Sequence, residues 1–505
     1  MLLCAAFLSA LLAPTVIAVP TRRSTPTVTL DSATFTGLAS GGVNKFLGIP
    51  YAQPPIGDLR FRLPQPIPPY AVSDSQSATS FGFSCPQQTS NNTPNITSLP
   101  PATIEILLGT VSSTMTPSNE SCLTLNVITP ANATPTSKLP VVIHDSLSTF
   151  GFLPGKEVKA AGVGNIGLQD QREGMRWVQK YISQFGGDPT KVTIWGDSAG
   201  SISVGLHTVA NNGNNEGLFR GAFMESGSPI PTGDIADGQP YFDALVAETG
   251  CSAAADKLAC LRTVPYANLT AAMNASPGSY SYQSLKLAWV PRVDGVFLTQ
   301  NPQLLIAEGK VANVAMVAGD CDDEGTLFSL AMLNITTTAQ LKQYLQSVWF
   351  PQASSAAVNE ILNLYPDNPV MGSPFGTGTN NSLSAQFKRI SALEGDLVFQ
   401  APRRYFLQQR SSKQKTWSYH GLGSVHGADS VEIYTAGPLA DYLINFVANL
   451  DPNGSTNIPW PRYTPLAPNL LTLYDNPDLL NITQDTFRLA PIKYLIDLSL
   501  LHPIF

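Results

Sequence analysis

The stretch Lys191-Val192-Thr193-Ile194-Trp195-Gly196-Asp197-Ser198-Ala199-Gly200 limits what this chain can fold into more than any other. An apolar, β-branched run stops at Gly-x-Ser-x-Gly, and a small-residue helical pattern, Ser201-Ile202-Ser203-Val204, follows. The chain holds 39 glycines, so the bare motif carries little weight. The strand before it and the helix after it carry the argument. Such a strand–turn–helix sets Ser198 in a strained, exposed position, with Gly196 and Gly200 lacking the side chains that would collide there. The Ala199 N–H then points at any anion forming on a substrate carbonyl, and the helix N-terminus adds partial positive charge.

The 505 residues are 43% hydrophobic and 13% charged, a folded protein rather than a disordered one. Length alone suggests two to four domains, but large α/β enzymes often run longer as one. The net charge of −7 argues against nucleic acid or an anionic membrane surface as the main partner. Residues 1–18 form an uncharged apolar run ending at Ala18, with Arg22 and Arg23 beyond. This reads as a secretory signal peptide, and no later stretch is long and apolar enough to span a bilayer. Cys4 leaves with the signal, and the remaining five cysteines suggest two bridges and one free thiol. Asn-x-Ser/Thr acceptors recur from Asn91 to Asn481. The expectation is a secreted glycoprotein whose residues 19–505 form one domain.

Along the chain, alternating segments near Val28 and Thr34 and the run Val43–Ala52 predict an N-terminal antiparallel hairpin on the edge of a larger sheet. Between Cys85 and Cys122 lies a surface loop. In it, Ile104, Leu107, Leu108 and Val111 take helical spacing after Pro100-Pro101. Leu139–His144 and Val311–Ala318 read as buried strands, Gly167–Phe185 as a helix, and Lys415–His420 as a late strand. Strands alternating with helices predict a mostly parallel sheet covered on both faces.

A serine nucleophile needs a base, usually histidine oriented by a carboxylate. His207 lies on the helix after Ser198 and cannot reach back. His144 ends a strand, His420 sits within one, and His502 is close to the C-terminus. His426 occupies the glycine-flanked loop Gly423-Ser-Val-His-Gly-Ala-Asp429 after a strand, where parallel sheets present catalytic groups. It is the favoured base, with His420 second and a core role the plain alternative for the others. The carboxylate should follow a strand between serine and histidine. Asp320, Asp322, Asp323 and Glu324 crowd such a place. Four acids so close should not all be buried as anions, so most are expected to be solvated. Residue chemistry alone does not choose among them.

The motifs Phe46–Ala52, Ser121–Val127, Asn165–Gln171, Phe185–Pro189, Gly196–Gly200 and Asp323-Glu-Gly-Thr326 recur in an order that resembles the type-B carboxylesterase/lipase family, which includes cholinesterases and secreted fungal lipases. The resemblance covers nearly the whole chain after residue 18. It implies an α/β-hydrolase fold and a Ser–Glu–His triad, with Glu324 as the acid and His426 as the base. Ser226 and Asp429 match positions supporting the histidine loop, and the bridges implied are Cys85–Cys122 and Cys251–Cys260. The first loop matches the family's lid region. Asp197 departs from the family's commoner glutamate. A larger departure follows His144, where the family has a glycine-rich loop supplying most of the oxyanion hole, then a further strand. Here Asp145-Ser146-Leu147 come at once, leaving Ala199 as the recognisable donor.

These features together predict a lipase-like serine hydrolase acting on small or lipid esters, with transient lipid contact and no metal or organic cofactor. The competing expectation is a catalytically silent esterase-like binding protein.

Overall fold

The computed structural model describes residues 25–88, 117–144, 149–455, 457–474 and 479–505. The signal run 1–18, the acceptors Asn91 and Asn95, the Ile104–Val111 stripe and the junction Asp145–Leu147 lie outside them. Near the N-terminus the alternating segments form β1 (Thr27–Leu30) and β2 (Ala33–Thr36), paired antiparallel as expected. Then come β3 (Leu38–Ser40), β4 (Val43–Pro50), β5 (Gln76–Ser77) and β6 (Thr124–Pro130). They build two separate three-stranded sheets, β1-β2-β5 and β3-β4-β6. The hairpin therefore does not join the edge of the large sheet, contrary to the sequence expectation.

The large sheet has seven strands: β7 (Leu139–His144), β8 (Gly187–Asp197), β9 (Gly221–Glu225), β10 (Ala315–Asp323), β11 (Thr416–Val425), β12 (Asn469–Leu473) and β13 (Leu480–Gln484). They lie side by side in that order, all parallel except the final β12–β13 pair. Strands covered on both faces read as continuous apolar runs rather than alternating ones, and β10 is buried at every position.

Successive side chains divide between two cores. Ile194, Met224 and Ala318 join the larger core with Met175 of α1 (Ile166–Tyr181), Val204 of α2 (Ala199–Gly213), Leu393 of α3 (Phe387–Gly395) and Phe406 of α4 (Ala401–Arg410). Their neighbours Trp195, Phe223 and Val317 face the other way, against Leu443 and Phe446 of α5 (Pro438–Asn449). This is the doubly covered α/β sheet that the sequence predicts.

Cys85 is bridged to Cys122 and Cys251 to Cys260, while Cys321 is a buried free thiol. Burial pushes that thiol well above its ordinary pKa, so it should be inert in the folded protein. Mass mapping after native alkylation should find both bridges intact and Cys321 unmodified until the protein is denatured. Reduction should remove about 2–4 kcal/mol per bridge, seen as a lower Tm. Rapid alkylation of Cys321 in the native protein would contradict this packing.

Candidate active site

β8 ends in Asp197, and Ser198 follows with φ +55°, a conformation that L-residues rarely adopt. The turn is tight because a Cβ on Gly196 would lie 2.4 Å from the Gly200 carbonyl carbon. Only glycine fits there. α2 starts at Ala199, whose N–H is unpaired within the first helical turn and beside the Ser198 hydroxyl.

The ends of the next three parallel strands bring the remaining groups in. Ser226 follows β9, Glu324 follows β10, and His426 follows β11. His426 Nε2 lies 2.8 Å from Ser198 Oγ, and its Nδ1 is hydrogen-bonded to Glu324. In the neutral ring, with Nδ1 donating to Glu324, Nε2 is free to accept from the serine hydroxyl. Burial opposes a charged imidazole, but Glu324, Asp197 and Asp429 outweigh it and raise His426 to about 9. The rings of Phe328 and Phe399 pack on this imidazole at 5.1 and 4.9 Å between centroids.

His420, the second candidate, is elsewhere. It lies within β11, stacked on Phe487 and 3.5 Å from Asp322. His207 is buried and paired with Gln171 at 2.8 Å.

The four acids at the end of β10 correct the sequence expectation, since Asp320, Asp322, Asp323 and Glu324 are all buried. Each has its own partners. Asp320 accepts from Arg403 at 2.9 Å, yet burial outweighs this and raises it to about 7. Asp322 meets His420 and Arg488, which overcome its burial and lower its pKa. Asp323 accepts from Ser373 Oγ and the Phe375 N–H at 2.7 and 2.8 Å, and burial raises it to about 6. Glu324 accepts from the Cys321 N–H at 2.6 Å and meets His426. Sequence reasoning assumed no nearby cations or donors, and the distant residues Arg403, Arg488 and Ser373 supply them. A Cβ on Gly325 would sit 2.0 Å from the Ser391 carbonyl oxygen, so α3 lies directly on the loop bearing Glu324.

Beneath the histidine loop, Asp429 accepts from Ser226 Oγ at 2.8 Å and Tyr419 OH at 2.6 Å. Ser226 and Asp429 are thus joined directly. Carboxyl oxygens of Asp197, Glu225 and Asp429 lie within 4.8 Å of one another, close enough to hold a metal ion. Burial, reinforced by the other acids, raises Asp197 to about 7 and Glu225 well above its ordinary value. Each of the three acids thus makes the others harder to ionise.

Sequence reasoning missed Phe328, Phe399 and Tyr419. Phe328, four residues after Glu324, was open to discovery as the same turn's apolar position, but nothing local marks Phe399 or Tyr419.

A serine at a glycine-walled turn, joined through histidine to a buried glutamate at the strand ends, is an arrangement suited to nucleophilic attack on a carbonyl. A model of the carboxylesterase family matches residues 24–144 and 146–422. The chain belongs to the carboxylesterase family. It is therefore a carboxylic ester hydrolase on an α/β-hydrolase fold. "Secreted lipase 1" of Botryotinia fuckeliana is 39% identical over 541 aligned positions, covering 94% of this chain and 93% of the relative. "Lipase 4" of Diutina rugosa is 39% identical over 527 positions, covering 92% and 94%. The crystal structure of Aspergillus niger EstA superposes with a TM-score of 0.79 at 27% identity, covering 96% of this chain and all of that one.

Proposed function

We propose that this esterase is a secreted, lipase-type hydrolase working through an acyl-enzyme on Ser198. The observation that carries the reading is the continuous contact from Ser198 Oγ through His426 to Glu324. Ser198 Oγ attacks the ester carbonyl carbon while His426 Nε2 takes its proton. The carbonyl oxygen gains the negative charge, which the Ala199 N–H faces. Collapse breaks the ester C–O bond, and His426 returns the proton to the leaving alcohol. Water then attacks the acyl-serine by the same proton route, releasing the acid and restoring Ser198. Glu324 orients the ring and offsets its charge each time it is protonated. An organophosphonate probe should label Ser198 alone. Labelling at Ser226 would move the nucleophile elsewhere.

Secretion is supported by the apolar leader, the glycosylation acceptors, the two bridges and relatives that are themselves named secreted lipases. No helix among the described residues is long and apolar enough to cross a membrane.

A silent binding protein is the second reading, and one observation favours it. The family match is interrupted at Asp145, immediately after β7. The 541 positions aligned to the Botryotinia relative also exceed this chain's 505 residues, so that relative carries stretches with no counterpart here. The proposal places the missing stretch after His144 and includes most of the oxyanion hole in it. The retained triad favours hydrolase ancestry and a restorable activity over a binding role.

For substrate, the proposal is medium or long acyl esters at a lipid surface. The relatives named as lipases support it, as does the Ile104, Leu107, Leu108 and Val111 stripe. Four such side chains gain roughly 1.5–3 kcal/mol each when fully buried, enough to bias a closed–open equilibrium. Both flanks of that loop are tied down: Gln88 Nε2 donates to the Ser276 carbonyl at 2.6 Å, and the Ser118 and Tyr266 hydroxyls lie 3.1 Å apart. With the oxyanion loop restored, the rate should jump as an emulsifying ester passes its solubility limit, and Leu107→Ser/Leu108→Ser should abolish the jump. Smooth saturation unaffected by that double substitution would rule the lipase reading out.

A further inference from the structure

α3 and α4 are joined without a loop, but not by regular helix. Asp396–Gln400 forms a π-helical turn, an insertion that costs hydrogen-bond quality and recurs at functional sites. It is pinned at both ends. Asp396 accepts from Tyr365 OH at 2.8 Å and from Arg488 Nε at 2.9 Å. Gln400 is fully buried. Its Oε1 accepts from Arg403 Nη2 at 3.0 Å, and its Nε2 donates to the Cys321 carbonyl at 2.8 Å.

One contact with the triad, and one link to it through Cys321, leave this turn. Phe399 lays its ring on the His426 imidazole, 4.9 Å between centroids. Gln400 holds Cys321 by its carbonyl, and the N–H of the same residue donates to Glu324 Oε1 at 2.6 Å. Holding the carbonyl fixes the backbone torsions of Cys321, and these decide where its N–H points. In an uninterrupted α-helix, each residue rotates by about 100° from the last. The π-turn's extra residue resets that rotation, so that Phe399 and Gln400 reach their separate targets.

We propose that Gln400 is a positioning residue for ester hydrolysis: through the Cys321 backbone it holds Glu324 against His426, while the π-turn carrying it sets Phe399 against the imidazole. This rests on the triad reading above. Gln400 touches neither substrate nor reacting atoms. Its amide acts by holding the Cys321 carbonyl, and so the strand end carrying Glu324, in place.

The test needs no turnover. Full-length protein labelled with 15N at histidine is followed by NMR against pH, reading the His426 Nδ1–H shared with Glu324. In the parent this proton should lie far downfield, with a transition near the raised value of about 9, set by Glu324 together with Asp197 and Asp429. Gln400→Met removes both amide functions. Gln400→Glu keeps the oxygen that Arg403 donates to and replaces the N–H on Cys321 with a carboxyl oxygen that cannot donate while ionised. Both should lower the transition by about one pH unit, a tenfold change in the protonation equilibrium, and broaden the resonance. In an active, loop-restored protein both should lower kcat about tenfold with KM unchanged. A transition unmoved in a folded Gln400→Glu protein overturns the proposal, because a purely structural role through Arg403 survives that change. If Gln400→Met does not fold, Gln400→Glu decides; if neither folds, the role is structural and the proposal is wrong. A parent with no shared Nδ1–H proton would instead defeat the triad reading, a result distinct from an unmoved transition.

Discussion

Ser198→Ala in the loop-restored protein abolishes ester hydrolysis, with a loss on the order of 10⁶-fold in kcat, and leaves the fold intact. The loss is this large because Ser198 Oγ is the atom that would form the acyl bond, and the triad acts as a unit. Among the described residues its hydroxyl has one side-chain partner, His426 Nε2, so folding loses little. The backbone at φ +55° is equally awkward for serine and alanine, which leaves the strain of the turn unchanged. Steady-state assays with p-nitrophenyl butyrate and a thermal melt would check both halves. Residual activity near the parent level would mean that another group attacks the ester.

Restoring a glycine-bearing loop and a following strand after His144 raises kcat of the written chain by at least about 10²–10³-fold, the typical worth of one oxyanion-hole donor. Two donors restored together should give more. The structure also supplies a stability argument. Among the described residues, β7 pairs only with β8 and is the edge of the large sheet, while β6 ends its own small sheet. Val142 on β7 is 44% exposed and Ile128 on β6 is 61% exposed. Open strand edges with apolar side chains invite association with other chains. A restored strand should pair with β7, so the restored protein should be both faster and less prone to aggregate. Equal rates for the two forms, measured across an ester series and alongside light scattering, would leave the silent binding role as the better reading.

The elbow was legible because its chemistry is local. Gly196, Ser198 and Gly200 must be neighbours in sequence to make that turn, and the apolar run before them had to be a covered strand. His426 was singled out by elimination among few histidines, helped by glycines marking a loop after a strand. Glu324 was another matter. Asp320, Asp322, Asp323 and Glu324 are similar in type, and what separates them comes from Arg403, Arg488, Ser373 and His426, far along the chain. Only the family motif chose Glu324, and the expected solvation of its neighbours failed for the same reason. Gln400 and Phe399 were invisible because a π-turn leaves no periodic signature that sequence spacing resolves. The separate N-terminal sheets were misjudged because alternation in β1 and β2 predicts a hairpin but not the sheet it joins.

The central claim is an acyl-enzyme on Ser198, and trapping it is the most direct measurement. The loop-restored protein would be mixed with a p-nitrophenyl carbamate, whose carbamoyl-enzyme is slow to hydrolyse, then quenched in acid and mapped by mass spectrometry. The account predicts p-nitrophenol released in step with one carbamoyl group per chain, carried on Ser198 and absent from Ser198→Ala and His426→Ala proteins. Continued p-nitrophenol release with no group on Ser198, or the group on Ser226, would contradict it.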